Sequence, residues 1–158
     1  MDAPSIPDDP RPTVLALHVA PERHAPVVAV AEVVAEAGAG LVGDRFHGSR
    51  HRHVSVQSAT DLAAAAAELG RPVEPGGTRR NLTLSHGEVP TEPGARVRVG
   101  EVELEVVRLA APCRLMEDSL GPGGRTALRR RGGSVLRVLH GGTIRLGDRV
   151  DLPVMLTP

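Results

Sequence analysis

The chain has 158 residues with 19 basic and 19 acidic side chains, a formal charge of zero that offers no overall basic field to nucleic acid. Apart from histidine every basic residue is arginine, so no Schiff base to pyridoxal phosphate or to a carbonyl substrate can form through a lysine side chain. Phe46 is the one aromatic residue and Cys113 the one cysteine, which removes base-stacking platforms and any disulfide within the chain.

From the N-terminus, residues 1–12 are rich in Pro and Asp and are expected to form a flexible arm without signal-peptide character. Thr13 to Ala20 is a short apolar run with β-branched members, the first expected strand. Val27 to Ala37 has Ala and Glu that suit a helix, but the valines and the breakers Gly38, Gly40 and Gly43 favour a strand. Val54 to Val56 alternates as a strand. Ser58 then fits an N-cap with Asp61 three residues on, opening a helix that runs through Leu69 and stops at Gly70.

Arg71 to Thr78 is a Pro/Gly loop, and Asn81 to Leu84 a strand. Arg96 to Gly100 and Glu101 to Leu109 form two more strands around a turn, the second alternating as if one face were wet. A short helix is expected to begin within Gly121–Gly124 and end near Arg131, followed by a strand at Val135 to Leu139 and two short apolar stretches between Gly141 and Val150. Many short strands with one or two short helices indicate a mostly-β barrel, a single domain over 13–158. No apolar run approaches the ~20 residues of a membrane span, and a lone thiol suits a reducing cytoplasm.

Candidate chemistry lies at a few places. Cys113 is either a small buried hydrophobe or a reactive group; Pro112 stiffens the chain before it, and Arg114 sets a cation beside it that favours a nucleophilic, metal-binding thiolate. Gly40–Arg45 is a glycine-flanked loop in which Asp44 either accepts backbone N–H bonds or helps present Arg45 to an anion. His47, His51 and His53 are interleaved with Arg50 and Arg52, which disfavours a dication held by these histidines alone and suits an anion-facing patch. Thr78-Arg79-Arg80-Asn81 offers two arginines and an amide, either for phosphate or carboxylate recognition or as ordinary surface charge. Arg125, Arg129, Arg130 and Arg131 form a local basic cluster, a docking surface for an acidic partner or a solvated helix face.

Taken in order, Gly40-Leu41-Val42-Gly43-Asp44-Arg45, Val54-Ser55-Val56-Gln57-Ser58, Arg79-Arg80-Asn81-Leu82, Pro112-Cys113-Arg114 and Gly141-Gly142-Thr143-Ile144 with Gly147-Asp148 resemble the MOSC domain, over about Val14 to Leu152. The resemblance implies a β-barrel of the MOSC / pyruvate-kinase β-barrel type. It implies that Cys113 ligates the molybdenum of the molybdopterin cofactor or carries sulfur as a persulfide, and that Asp44, Arg45, Arg79, Arg80 and Asn81 lie at the cofactor. His53 and Arg114 are further candidate cofactor-binding residues, and a non-catalytic binding module is the remaining alternative. It does not extend to the cysteine desulfurase domain of the large sulfurases or the N-terminal barrel of the amidoxime-reducing members. A separate desulfurase or electron-donor protein is therefore the expected partner, with no nucleic acid, membrane or pyridoxal phosphate site.

Overall fold

A computed structural model describes residues 9–153. Eleven strands and three helices follow in the order β1 (Val14–Val19), β2 (Val28–Ala29), β3 (Glu32–Glu36), β4 (Gly40–Leu41), β5 (Val54–Ser58), α1 (Ala59–Leu69), β6 (Leu82–Leu84), β7 (Arg96–Val99), β8 (Val102–Leu109), α2 (Arg114–Leu120), α3 (Gly124–Ala127), β9 (Ser134–His140), β10 (Gly142–Arg145) and β11 (Val150–Asp151). The main sheet runs β11-β7-β8-β9-β5-β6-β1-β2, and β10-β3-β4 form a smaller one. Thr13 pairs antiparallel with Arg149, and Val14 N donates to Asp148 O at 3.0 Å, so the start of β1 meets the approach to β11 in a one-bridge seam. The protein is mostly β, as its composition of short strands predicts.

The alternation in the sequence becomes the core. Val33 and Ala35 of β3, Val97 and Val99 of β7 and Val102, Leu104 and Val106 of β8 are buried, while their neighbours on the strand are more exposed. Each fully buried Val or Leu contributes roughly 1.5–3 kcal/mol by leaving water. The central strand β5 is buried on both faces. Val54 and Val56 enter the barrel core, and Ser55 and Gln57 point the other way.

β5 and β6 are parallel, with α1 in the connection between them. The register sets Gln57 opposite Thr83, so Ser55 falls opposite Asn81 and the pairs form a buried polar ladder outside the core. Gln57 Nε2 donates to Thr83 Oγ1 at 2.9 Å, and Asn81 N donates to Ser55 Oγ at 3.0 Å. The Ser55–Asn81 rung of this ladder lines the site described below.

Helix α1 starts and stops where its sequence indicates: Ser58 Oγ accepts from Asp61 N, and Gly70 ends it in the left-handed conformation. Helix α2 has no counterpart in the sequence reading. Its seven residues hold their place by burying Met116 with Leu62, Ala65, Ala127 and Leu128, a second small core beside the barrel. The helix expected to end near Arg131 is shorter, α3 at Gly124–Ala127, and turns carry the chain on to Arg131. Of the expected N-terminal arm, residues 1–8 lie outside the described residues. Asp9 to Pro12 lie against the last strand, where Arg11 Nη1 meets Asp151 Oδ1 at 3.0 Å and Val150 N donates to Pro12 O.

Candidate functional site

Cys113 occupies the N-cap position of α2, between the end of β8 and the small helical core, and its side chain is exposed. Ser119 Oγ of α2 donates to Gly77 O at 2.7 Å, tying the helix to the 3₁₀ turn Pro75–Thr78 that leads into Arg79 and Arg80. A Cβ on Gly77 would come within 2.8 Å of Leu120 Cδ2, so a side chain there would make the end of Leu120 shift. The thiol and the arginine pair, more than thirty residues apart in sequence, are therefore held by one contact region.

The thiol borders two spaces. One is an inner cavity of about 40 Å³, walled by Arg45, Phe46, Arg52 and Arg80 together with Cys113. The other is an open groove of about 470 Å³ formed by Arg23, His24, Cys113, Arg114, Leu115 and Asp118. Small-molecule sites usually span ~300–1,000 Å³, so the groove has room for an organic cofactor and the inner cavity only for a small group.

The inner wall sets Arg45, Arg52, Arg79 and Arg80 against a single carboxylate, Asp44, so it is cationic on balance. Phe46 is flanked by two guanidinium groups, Arg45 at 4.3 Å and Arg52 at 4.2 Å from the ring centroid, each contact worth about 0.5–2 kcal/mol. Arg45 Nε is buried with no hydrogen-bond partner. An N–H left so costs about 1–3 kcal/mol until an acceptor reaches it. Arg80 is 4 % exposed; it donates from Nε to Gly132 O at 3.0 Å and from Nη2 to Ala111 O at 3.3 Å.

Burial pushes Arg80 down to about 10, with Arg52 repelling it further and the sulfur of Cys113 acting the other way. It remains charged at neutral pH. Burial first, then neighbouring arginines, also lower Arg45 and Arg52, and in both the attraction of Asp44 and Cys113 opposes the shift. A pocket in which guanidiniums repel one another beside a thiol is suited to an anion.

Asp44, Arg79, Asn81 and His53 also line the inner cavity, where their polar atoms are engaged by neighbouring protein groups. Asp44 Oδ1 accepts from Ala20 N at 2.8 Å and Asn81 Nδ2 at 3.2 Å, and Oδ2 from Phe46 N at 3.2 Å. Asn81 Oδ1 accepts from Ser55 N at 2.9 Å, and its amide also donates to His18 O. Arg79 Nη1 donates to Ala25 O at 2.8 Å and Nη2 to Arg23 O at 2.9 Å, pinning the loop that supplies Arg23 and His24 to the groove. Arg114 belongs to the groove rather than the inner cavity. Arg52, expected in an anion-facing patch, does reach the inner cavity, and Phe46 and Arg23 join the site without a signal in the sequence. Among the described residues no cluster of three or more His, Cys, Asp or Glu could hold a metal, so the three histidines form no metal site.

His53 is 2 % exposed and has both ring nitrogens engaged: Nε2 donates to Ser49 O at 2.7 Å, and Nδ1 accepts from Val138 N at 2.9 Å. It positions the wall of the pocket. Protonating Nδ1 would set two donors against each other, and burial lowers the His53 pKa from its ordinary value of 6.5. With the folded value depressed, the unfolded chain takes up its proton first as pH falls. The histidine's contribution is complete above about pH 6.5 and is lost as pH falls through the lowered folded value. Unfolding free energy measured between about pH 7.5 and pH 5 should therefore decline, and His53→Gln, which keeps an acceptor and a donor, should flatten the slope. A wild-type stability that stays level over this range would refute the assignment.

Fold and site together define a small mostly-β domain that presents one thiol from a cationic pocket. The MOSC domain family model matches residues 43–151, well over half of the chain. The chain belongs to the MOSC domain family, which is associated with molybdenum cofactor binding. No curated protein matches it in sequence. Among solved structures it is similar to the YUAD protein from Bacillus subtilis, with a TM-score of 0.77 and 17% identity over 88% of this chain and 93% of that one. YiiM from Geobacillus stearothermophilus gives 0.69 at 17% identity, covering 90% of this chain and 75% of that one. YiiM from Escherichia coli gives 0.68 at 16%, covering 94% and 73%. At these identities the likeness is one of fold. No helix of the described residues is long and apolar enough to cross a membrane.

Proposed function

We propose that this protein binds the molybdenum cofactor and that Cys113 Sγ ligates its metal. The observation that carries the reading is the buried, unpartnered Arg45 Nε in a cavity that also holds Arg52, Arg80 and the only thiol of the chain. A soft sulfur ligand in a cavity lined by four arginines and one carboxylate suits an anionic metal–dithiolene group. The groove of about 470 Å³ has room for the organic part, with Arg23 and Arg114 on its walls. Bound there, the cofactor would supply a redox-active metal centre.

The chain's own residues then have separate duties. Arg45, Arg52 and Arg80 attract and orient negative charge next to the sulfur. Asp44, Asn81, Arg79 and His53 hold the loops that carry these groups. Reduction of N-hydroxylated compounds is the activity we assign to such a centre, with electrons delivered by a separate donor protein. Protein purified from a host that makes the cofactor should contain molybdenum and pterin near one per chain. Cys113→Ala should lower the metal at least about tenfold while the arginines keep part of the pterin. Unchanged molybdenum in that variant overturns the reading.

A second reading follows from the exposure of Cys113, which leaves the sulfur within reach of another protein. As a sulfur carrier, the Cys113 thiolate would take the terminal sulfur of a desulfurase persulfide and leave the donor as its thiolate. Intact mass after incubation with a desulfurase and cysteine should then rise by one sulfur, and Cys113→Ser should show no gain. No mass gain in wild type eliminates this alternative.

A further inference from the structure

A second groove, of about 420 Å³, lies across Pro112 from the cofactor site. Leu109, Ala111 and Pro112 from the β8–α2 connection form its apolar part, and Arg125, Arg129 and Arg130 from α3 and the following turn form its charged part. Leu109 is 38% exposed there. The three arginines are exposed, and among the described residues none has a carboxylate within ion-pair distance. Arg11, Arg96, Arg137, Arg145 and Arg149 each have an acidic neighbour. Although Arg23, Arg50, Arg71, Arg98, Arg108 and Arg114 are exposed without one too, Arg125, Arg129 and Arg130 lie together on one groove.

The contrast is sharpest next door. Arg131 pairs with Glu68 at 2.7 Å, and the nearby Glu117 directs Oε1 to the backbone N–H of Arg125 instead of its guanidinium. Arg130 also has φ +63, unusual for a residue other than glycine, and the turn that imposes it helps present a third cation on the groove. In a chain of zero formal charge this is a concentrated local excess with an apolar strip through it. Charge-lined apolar grooves select partners by complementary charge and speed their encounter. The groove has no aromatic side chain on which a base could stack, which favours protein over single-stranded nucleic acid.

We infer that this groove docks an acidic segment of a partner protein, an apolar side chain resting on Leu109 and Pro112 and carboxylates meeting Arg125, Arg129 and Arg130. Such a segment delivers the partner's reactive group to Cys113, one residue beyond the groove's edge. The inference rests on Cys113 being the reacting group, and the test separates the two ideas.

The probe is an acidic, leucine-containing peptide ending in a cysteine carried as its thionitrobenzoate disulfide, compared with the same peptide having Gln and Asn for Glu and Asp. The Cys113 thiolate attacks the peptide sulfur, forms a mixed disulfide and releases coloured thionitrobenzoate. With the full-length, cofactor-free chain at low salt, the acidic peptide should react about tenfold or more faster than the neutral one. The advantage should vanish near 1 M salt, where the Debye length is only about 3 Å. It should vanish also in the Arg125→Gln/Arg129→Gln/Arg130→Gln variant, which should keep its reactivity towards a small neutral disulfide. In parallel, a labelled thiol-free acidic peptide should bind wild type about tenfold or more tightly than the variant.

Equal rates and equal binding for the two peptides overturn the docking surface while leaving the thiol's role intact. An advantage that survives the triple substitution overturns it too, assigning the attraction to the arginines around Cys113. Displacement of the labelled peptide by oligouridylate at lower concentration than by unlabelled peptide replaces the acidic protein with nucleic acid. A thiol unreactive even to the small disulfide counts against Cys113 alone, and the binding titration then decides the groove.

Discussion

Gly133→Ala should leave little or no folded protein. Gly133 has φ +77 just before β9, and a Cβ built there would overlap the Val56 carbonyl oxygen outright and approach Gln57 Cα at 2.8 Å. The obstacle is the backbone of β5, the central strand, whose Val56 pairs with Ser134 of β9. No side chain can swing away to relieve the overlap, so β5 and β9 must separate where Ala110 N also donates to Gly133 O. A loss above about 4–5 kcal/mol is expected, comparable with the whole stability of a small domain. Gly38→Ala is the control: φ is +74, but nothing lies within 4 Å, so the cost should be about 1 kcal/mol from backbone strain alone. Soluble yield and urea unfolding of the two variants measure the difference. A Gly133→Ala protein as stable as Gly38→Ala would show that β9 does not enter the sheet as described.

Asp44→Ala should also be damaging, for a different reason. Removing the carboxylate strips an acceptor from three donors, Ala20 N, Phe46 N and Asn81 Nδ2. A buried donor left unpaired costs about 1–3 kcal/mol, and since Ala20 N loses its partner outright while Phe46 N is part-buried and Asn81 Nδ2 keeps His18 O, the expected total is about 2–4 kcal/mol. Phe46 is the platform for Arg45 and Arg52, and Asn81 is tied to Ser55 in the cavity lining, so the cationic wall should lose its geometry as well. Stability and molybdenum retention should fall together, and Asp44→Asn, which keeps one oxygen, should lose less of both. A variant that loses metal at unchanged unfolding free energy would instead make Asp44 a direct contact of the cofactor.

The outline of the fold is readable from the sequence because strands with one buried face alternate. Val33 and Ala35 alternate with Glu32, Val34 and Glu36, which makes this part of Val27 to Ala37 strand despite its helix-forming Ala and Glu, though the segment divides into β2 in the main sheet and β3 in the smaller one. α1 is readable because Ser58 and Gly70 mark its ends chemically. α2 is not, because its N-cap is a cysteine that makes no capping bond and its stability comes from Met116 meeting residues distant in sequence.

The same division runs through the site. Cys113, Arg45 and Arg80 are recognisable from residue type and order. The partners of Asp44, Asn81 and Arg79 are largely backbone groups, which have no signature in a sequence, so the bonds that hold these cavity-lining residues in place are not legible there. Arg52 becomes part of the wall only because Phe46, six positions earlier, folds under its guanidinium.

The position of Cys113 sets reactivity against local order. An N-cap asks for a side chain that can accept from the first turn, and serine, threonine, aspartate or asparagine there is worth about 1 kcal/mol over a residue that cannot. Cys113 has the extended backbone of a cap and makes no such bond, so α2 begins with its amides unsheltered by the side chain best placed to cover them. The sulfur is free to face the groove for the same reason that the helix is weakest at its first turn. Any replacement that strengthened this start would remove the group for which the surrounding arginines are arranged.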